Sequence, residues 1–459
     1  WVRFLMGDPP DVTEIAESAR HGPGSTATTG YRDRSTYFKY ANWPYAVSSG
    51  CRDLFKRMIL LDERWLGSLE QSYRLKFNIP AWSILDWDLF WSRVLVEQNW
   101  NVVTSVPKNG LKQRPIAKEP LGNVFCQLGL GSILKRRLGE FGIDLTDQSK
   151  NRRLARLAST LNSDLSPCTV DLSSASDTIS LSLVQYLVSP GWFSLLHSTR
   201  SEYGLYPGRF SWRYAKMSSM GNATTFELES TIFASVIWAV ISIFGEEGDR
   251  AYTSVFGDDL IFPRYLYLTI THYLEAFGFK VNNSKSFQNG TFFESCGSDW
   301  NCGVNIRPMF LRKIPETIQD LMVAHNQINI WFLRNFGCWA PSHISDFFRQ
   351  YAYRVPTGPL HCDTMDSWFF QKGKDRGGQC VRSVVSPCTH GDFWFRKLMH
   401  NLRSCESDAG SRFTISRRSR LKWFRRAPLS TDDPHLGVIG SDGVLQNLDW
   451  PSWEEISCE

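Results

Sequence analysis

An α+β enzyme fold is predicted for this chain, and three observations predict it. Short runs of β-branched and aromatic residues meet at tight turns, most clearly in Val255-Phe256-Gly257-Asp258-Asp259-Leu260-Ile261-Phe262. Apolar runs flanking a Gly-Asp pair read as a hairpin, because Gly tolerates positive φ. Longer segments, Gln127 to Leu138, Thr231 to Phe244 and Thr269 to Phe277, read as helices. Finally, 459 residues with 42% hydrophobic and 21% charged content can bury a real core. That length suits two or three domain-sized units or one interlocked enzyme.

The Gly257-Asp258-Asp259 hairpin would place two carboxylates at its tip, where a hard divalent cation with oxygen preference could be gripped. Taken alone, the same tripeptide is also a common solvated turn. The net charge of +5 is mildly basic, compatible with a polyanionic partner without requiring one. Aromatics at 14%, with 18 Trp, suit cores and stacking surfaces equally. The 11 Cys are scattered and odd in number, which argues against a disulfide framework and for a reduced cytoplasm. His361, Cys362, Cys380, Cys388 and His390 match no zinc-ligand spacing. The run Thr231 to Phe244 is too short to span a bilayer and reads as a buried helix, and the N-terminus resembles no signal peptide. A first residue of Trp suggests a fragment or a processed product.

Taken in order, residues 1–41 read as polar and irregular, with a Gly/Pro-rich loop at His21-Gly22-Pro23-Gly24. Cys51 to Val96 reads as mostly helical, with Trp82, Trp87 and Trp91 at near-helical spacing and therefore assigned to the core. Ser105 to Glu119 is different. Lys108, Lys112, Arg114 and Lys118, broken by Pro and Gly, predict an extended hairpin-like arm with projecting cations. Such an arm suits a triphosphate or a nucleic-acid backbone, and a solvated basic loop is the alternative. Cys168 to Leu172 reads as a strand with Asp171 near its end, followed by a helix running on to about Leu187 with Asp177 as a candidate N-cap. A charge inside an apolar strand is costly unless paired or metal-bound, which singles out Asp171. Met217 to Ser230 is a small-residue loop, containing Ser219, Gly221 and Asn222, that leads into an apolar helix; small side chains let a substrate approach the backbone. Phe293 to Gly297 and Gly303 to Arg312 suggest a second hairpin, Ile318 to Tyr353 a helical region, and Arg412 to Arg426 a basic run around Trp423 and Phe424.

Asp171 on one strand and Asp258 with Asp259 on a hairpin would converge if the two elements share a sheet. Convergent acids can bind two Mg²⁺ ions about 3.5–4 Å apart, which activates a hydroxyl and stabilises a leaving pyrophosphate. The ordered set Thr169-Val170-Asp171-Leu172-Ser173-Ser174-Ala175-Ser176-Asp177, then Ser218-Ser219-Met220-Gly221-Asn222 with Phe226-Glu227-Leu228-Glu229-Ser230, then Gly257-Asp258-Asp259 resembles the palm motifs of viral RNA-dependent RNA polymerases. Ser105-Val106-Pro107-Lys108, Ile116 to Pro120, Pro190-Gly191-Trp192-Phe193 and Phe293 to Gly297 narrow the resemblance to the catalytic (beta) subunit of levivirus-type RNA phage replicases.

That resemblance implies a right-hand polymerase with an antiparallel ferredoxin-like palm sheet. Fingers would occupy 1–160, the palm 161–312 with a fingers insertion near 190–215, and the thumb with a basic tail 313–459. By the resemblance, Asp171, Asp258 and Asp259 form the metal site for two Mg²⁺, with Mn²⁺ as a substitute. Lys108, Arg114 and Lys118 face the triphosphate. Asp177, Ser219 and Asn222 select the ribose, Gly221 and Glu229 belong to the same nucleotide-binding set, and Lys285 protonates the pyrophosphate. Glu229 stands where many viral polymerases have Asn, as in the phage-type motif. The implied partners are single-stranded RNA template and product, ribonucleoside triphosphates, and the host elongation factors Tu and Ts with a small-subunit ribosomal protein. No membrane is implied, and the place of action is the cytoplasm of an infected bacterium. The rivals are the polymerase of a capsidless RNA replicon and a catalytically silent RNA-binding protein on a polymerase scaffold. A reverse transcriptase fits less well, because its turn usually has Ala or Met where this chain has Gly257.

Overall fold

The computed structural model describes residues 1–30, 35–107, 113–161, 163, 166–208, 210–309 and 318–349, with the short segments 438–439 and 445–446. Two compact units divide the chain, Trp1–Arg307 and Pro308–Glu459. The first holds every catalytic candidate.

The N-terminal region is more ordered than its polar composition predicts. It forms α1 (Val2–Met6), α2 (Val12–Ser18) and α3 (Thr36–Ala41). These helices are too short to show a period, but Asp11 and Ser35 cap the second and third, and Val2, Leu5, Met6 and Ile15 are buried. Lys39 of α3 is buried and its ammonium donates to the carbonyls of Gly22 and Gly24. The loop thus held carries His21 into a nest of rings formed by Tyr40, Trp65 and Phe125.

Next come β1 (Tyr45–Val47), α4 (Ser49–Leu61), α5 (Glu63–Lys76), α6 (Trp87–Val94) and β2 (Leu95–Glu97), the last pairing in parallel with β1. The three Trp expected in the core separate here. Trp91 is buried, whereas Trp82 and Trp87 are 87% and 43% exposed. Only Trp87 and Trp91 lie on α6; Trp82 precedes it in a loop, so its spacing has no helical meaning.

The basic arm is the predicted hairpin. β3 (Trp100–Pro107) and β4 (Gln113–Lys118) pair antiparallel from Val102↔Lys118 to Pro107↔Gln113. Its turn, 108–112, lies outside the described residues, and Lys108 with it. After β4 the long α7 (Leu121–Glu140) packs against α2, α4 and, further along the chain, the helix at 225–244. α8 (Ser149–Thr160) follows.

β5 (Pro167–Val170) ends one residue before Asp171. The single helix expected after it is broken into α9 (Ala175–Thr178) and α10 (Leu181–Leu187). Ile179 is extended, Ser180 restarts the helix by accepting the Leu183 N–H, and Ser180 bridges to Lys216. Asp177 is therefore inside α9, and Ser174 holds the N-cap position. α11 (Pro190–Thr199) leads to β6 (Tyr203–Tyr206) and β7 (Phe210–Arg213), which extend the arm into a sheet of order β4-β3-β6-β7.

α12 (Thr225–Phe244) is the core helix. It is apolar and long enough by itself to cross a membrane, so length does not exclude a span; yet 72% of its most apolar window is buried inside the protein. β8 (Ser254–Phe256) and β9 (Asp259–Pro263) are the predicted hairpin, and α13 (Tyr267–Ala276) follows. The central sheet has the order β5-β9-β8, and single bridges Leu172↔Val281 and Thr169↔Phe287 add residues 281–287 along the free edge of β5. Alternation along β9 assigns the two faces. Leu260 and Phe262 pack with α12 and α13, while Ile261 joins Leu154, Ala155 and Ala158 of α8.

The second hairpin is corrected by the structure. β10 (Phe292–Ser295) turns at Cys296-Gly297 into β11 (Ser298–Asn301), and β12 (Val304–Asn305) pairs with β11. An unforeseen strand therefore stands between the two expected ones, because Gly297 at φ +70 closes a turn much earlier. The second unit contains α14 (Ile318–Phe336) and α15 (Ser342–Arg349), joined by Ala324 and Phe348. The Cys/His cluster at 361–390 and the Arg-rich run at 412–426 lie outside the described residues.

The His21 site yields a stability prediction. Its ring nitrogens are buried with no hydrogen-bond partner among the described residues. Burial, then the nearby Lys39 ammonium, lowers its pKa from 6.5 to about 3. Between those values the unfolded chain binds the extra proton, so stability is complete above pH 6.5 and lost as pH falls toward 3, by up to about 1.4 kcal/mol per pH unit. Denaturant unfolding at pH 7.5 and 5.0 is expected to show a smaller acid loss in His21→Phe than in the parent. Equal acid losses in both proteins would remove His21 from the account.

Candidate active site

Three chain segments build the site. β5 delivers Asp171, the β8-β9 turn delivers Asp258 and Asp259, and residues 281–287 deliver Asn282 and Lys285. The register brings them together: Val170 stands opposite Leu260, so the next residues along the antiparallel pair, Asp171 and Asp259, face each other. Directly opposed residues have Cα atoms about 4.5–5.5 Å apart.

The turn depends on Gly257. Its φ is +59, and Asp258 after it has no positive φ, the placement a type II′ turn requires. A Cβ there would lie 2.4 Å from the Phe226 ring and 3.1 Å from Glu229 Oε1. The Ser230 hydroxyl accepts the Gly257 N–H at 3.0 Å, pinning the turn to α12.

The two hairpin acids are not equivalent. Asp259 Oδ1 accepts the Cys296 N–H at 3.2 Å and the Ser295 hydroxyl at 3.4 Å, which turns its carboxylate toward the β10-β11 turn. Asp258 keeps the tip alone, where both had been expected. Burial, then Asp259, then Asp171 pushes the Asp258 carboxyl up to about 6, against a smaller opposing pull from Lys285. Asp259 is also raised, by burial first. Asp171 is held on both oxygens: Asn282 Nδ2 donates to Oδ2 at 2.7 Å, and Lys285 Nζ lies 3.8 Å from Oδ1.

Beneath the turn sits Glu229, 6% exposed, with Oε2 lacking a hydrogen-bond partner among the described residues. Burial, then Asp258 and Glu227, raises its pKa to about 9, so it stays protonated at neutral pH.

The arm and the small-residue loop meet each other. The Ala117 N–H donates to the Met220 carbonyl at 2.8 Å. Gly221, at φ +111, lies so close to β4 that a Cβ would come within 2.3 Å of the Ala117 carbonyl oxygen. Ser219 and Asn222 are nearly buried, and Asn222 Oδ1 accepts both the N–H and the hydroxyl of Thr224. Arg114 is exposed and Lys118 half-buried on β4. Asp177 is ion-paired with Lys216, whose ammonium also sits over the Tyr214 ring.

Among the described residues, no three His, Cys, Asp or Glu side chains approach closely enough to form a metal-binding group by themselves. The donor chemistry nevertheless fits Mg²⁺, which is commonly held by one or two carboxylates with water and substrate phosphates completing its shell. A carboxyl pushed upward by its acidic neighbours is one that a cation would relieve.

A family model described as RNA replicase, beta-chain, matches residues 79–378. The chain belongs to the RNA replicase beta-chain family. The RNA-directed RNA polymerase subunit beta of Enterobacteria phage SP is 41% identical over 256 residues, covering 56% of this chain and 43% of that protein. Its counterpart from Escherichia virus Qbeta is 35% identical over 337 residues, covering 73% and 52%. The chain spans about half the length of these curated relatives. A solved structure of the BmCPV RNA-dependent RNA polymerase at elongation state aligns at TM-score 0.39, with 10% identity over 55% of this chain and 26% of that chain, too slight a likeness to bear on the fold. The levivirus resemblance read from the motifs is borne out.

Four residues of this replicase beta-chain site were not singled out from sequence. Asn282 orients Asp171. Asn151 of α8, 1% exposed, donates to the Asp259 carbonyl and Ser295 Oγ, both at 3.2 Å, and accepts the Ser254 hydroxyl at 2.6 Å. Ser295 contacts Asp259, and Glu294 lies in the fields of Asp259 and Lys285. A signal for Asn151 did exist: it shares the helical stripe of Leu154, Ala155 and Ala158, where a polar residue must find buried partners.

The raised Asp258 pKa makes a prediction with a fixed sign. Its folded value near 6 lies above the ordinary 3.8, so the stabilisation it contributes is present below pH 3.8 and lost as pH rises through 6. At pH 7.5 in EDTA, Asp258→Asn is expected to melt a few degrees higher than the parent. A lower melting temperature for the variant would show that the carboxylate is not under repulsion.

Proposed function

We propose that the chain is the catalytic part of a template-directed RNA polymerase that copies single-stranded RNA phage genomes. The observation that carries this reading is the meeting of Asp171 with the Asp258 turn, in a chain whose family relatives are named RNA-directed RNA polymerases.

In this reading the sheet β5-β9-β8 is a ferredoxin-like palm. Its support is the order β5, α12, β8, β9, α13 and residues 281–287, with the last segment bridged to the outer edge of β5. Residues 1–160 are fingers, 161–312 palm and 313–459 thumb and tail. The insertion near 190–215 belongs to the fingers, a view supported by β6 and β7 sharing a sheet with the arm.

Asp171 and Asp258 would hold two Mg²⁺ ions, or Mn²⁺ in their place, with Asp259 supporting the turn. When bound there, the ions supply neutralisation of the attacking 3′ oxygen and of the leaving pyrophosphate. Lys108, Arg114 and Lys118 bind the triphosphate, since phosphoryl transfer asks the protein mainly for positioning and charge. Lys285, half-exposed beside Asp171, holds a proton at Nζ for the departing pyrophosphate. Asp177, Ser219 and Asn222, with Gly221 allowing the loop to seat on β4, read the sugar. Protonated Glu229 supports the turn from below without adding another negative charge.

The substrates are ribonucleoside triphosphates and an RNA template, and the place of action is the cytoplasm of an infected bacterium. Elongation factors Tu and Ts and a small-subunit ribosomal protein are proposed partners by family resemblance.

The test uses protein purified from a bacterial host with any co-purifying subunits retained, an RNA template, labelled ribonucleotides and Mg²⁺. Complementary RNA is expected from the parent and at least about a hundredfold less from Asp258→Asn. Undiminished synthesis by the variant would overturn the metal-site assignment.

A further inference from the structure

A buried polar chain runs behind the loop that carries Ser219 and Asn222, and no step above uses it. Glu119, immediately after β4, is 2% exposed. Its Oε2 accepts the Ser201 N–H at 3.2 Å and the Ser201 hydroxyl at 2.6 Å, and its Oε1 accepts Asn101 Nδ2 at 2.9 Å. Asn101, on β3, is 1% exposed, and its Oδ1 accepts the Tyr214 hydroxyl at 2.9 Å. Both ends of the amide are thus committed. Tyr214, just past β7, is 7% exposed, with the Ser219 side chain close enough to perturb its hydroxyl.

The hydrogen-bonded chain therefore runs from the base of the cationic arm to Tyr214, at the start of the segment that leads into the sugar-side loop. A backbone link runs beside it, from the Ala117 N–H to the Met220 carbonyl. Three donor groups meet the two Glu119 oxygens, the pattern a carboxylate accepts, while burial works against it by raising the Glu119 pKa. Burying a carboxylate is costly, and an apolar residue would hold a sheet to a loop at least as stably. What the polar chain adds is a defined geometry.

We propose that Glu119, Asn101 and Tyr214 are positioning residues that set the Ser219–Asn222 loop against the arm, and so govern how tightly a ribonucleoside triphosphate is held and how well ribose is told from deoxyribose. Their polar atoms are taken up by one another and by Ser201, so they act by seating the loop and not by touching the nucleotide. The inference rests on the active-site reading above.

The experiment compares the parent with Tyr214→Phe and Glu119→Gln in RNA-templated synthesis, measuring kcat and KM for one ribonucleotide and its deoxy counterpart. Tyr214→Phe removes a single oxygen and keeps the ring packed on Trp212. Loss of one hydrogen bond in the chain is expected to raise the ribonucleotide KM about three- to tenfold, with kcat within about twofold, and to lower the ribose preference by a similar factor. Glu119→Gln is expected to move both quantities in the same direction. If kcat falls equally for both nucleotides while KM and the ribose preference stay at the parent's values, the chain is merely structural and the proposal is wrong. Should Glu119→Gln fail to fold, Tyr214→Phe decides alone. Asp258→Asn in the same assay separates the two levels. An inactive Asp258→Asn beside an unchanged Tyr214→Phe overturns this inference only, whereas an active Asp258→Asn overturns the site on which it stands.

Discussion

The site depends on one pairing, β5 against β9. With Val170 opposite Leu260, the next residues on both strands are acids, and the hairpin turn places a third acid beyond them. A slip of one residue would send Ile261 to the α12 face and Leu260 and Phe262 to the α8 face, exchanging the partners of two separate cores. Packing on both faces therefore holds the register that brings Asp171 to Asp258. Like charges in proximity oppose folding, and apolar burial around them offsets that cost, at about 1.5–3 kcal/mol for each large side chain removed from water.

The acids are also held by groups that are not acids. Asn282 and Lys285 take the two oxygens of Asp171, Ser295 and Cys296 take Asp259, and Asn151 ties the Asp259 backbone to β8 through Ser254. For Asp258, its own backbone and Lys285 favour the charge, and neither outweighs burial and the two neighbouring acids. This asymmetry gives each carboxylate a different freedom. Asp171 and Asp259 are oriented by neighbours, and Asp258 is the one whose charge most needs an added cation.

Much of this was legible in the sequence for a physical reason. A Gly-Asp-Asp turn, a basic Pro/Gly-broken hairpin and a long apolar helix are local signals, set by backbone preferences and by composition over a few residues. Hence the β8-β9 hairpin, the β3-β4 arm and α12 all stand where expected. The misses share a cause as well. α1, α2 and α3 are too short to show a period, and Trp82 is exposed because its place in a loop, not its spacing, decides its burial. The break at Ile179 and Ser180 comes from a bridge to Lys216, a contact across 36 positions. Asn151, Asn282 and Glu294 act only through tertiary neighbours. Lys108 and the Arg-rich run at 412–426 lie outside the described residues.

The central claim is that Asp171 and Asp258 together form a divalent-cation site. Its most direct measurement is Mn²⁺ binding by electron paramagnetic resonance, following loss of the free-ion signal as protein is added at pH 7.5, without nucleotide and then with it. The account predicts that Asp171→Asn and Asp258→Asn each weaken binding about tenfold or more, while Lys285→Ala does not weaken it. Parent-like Mn²⁺ binding by both Asp variants would contradict the account.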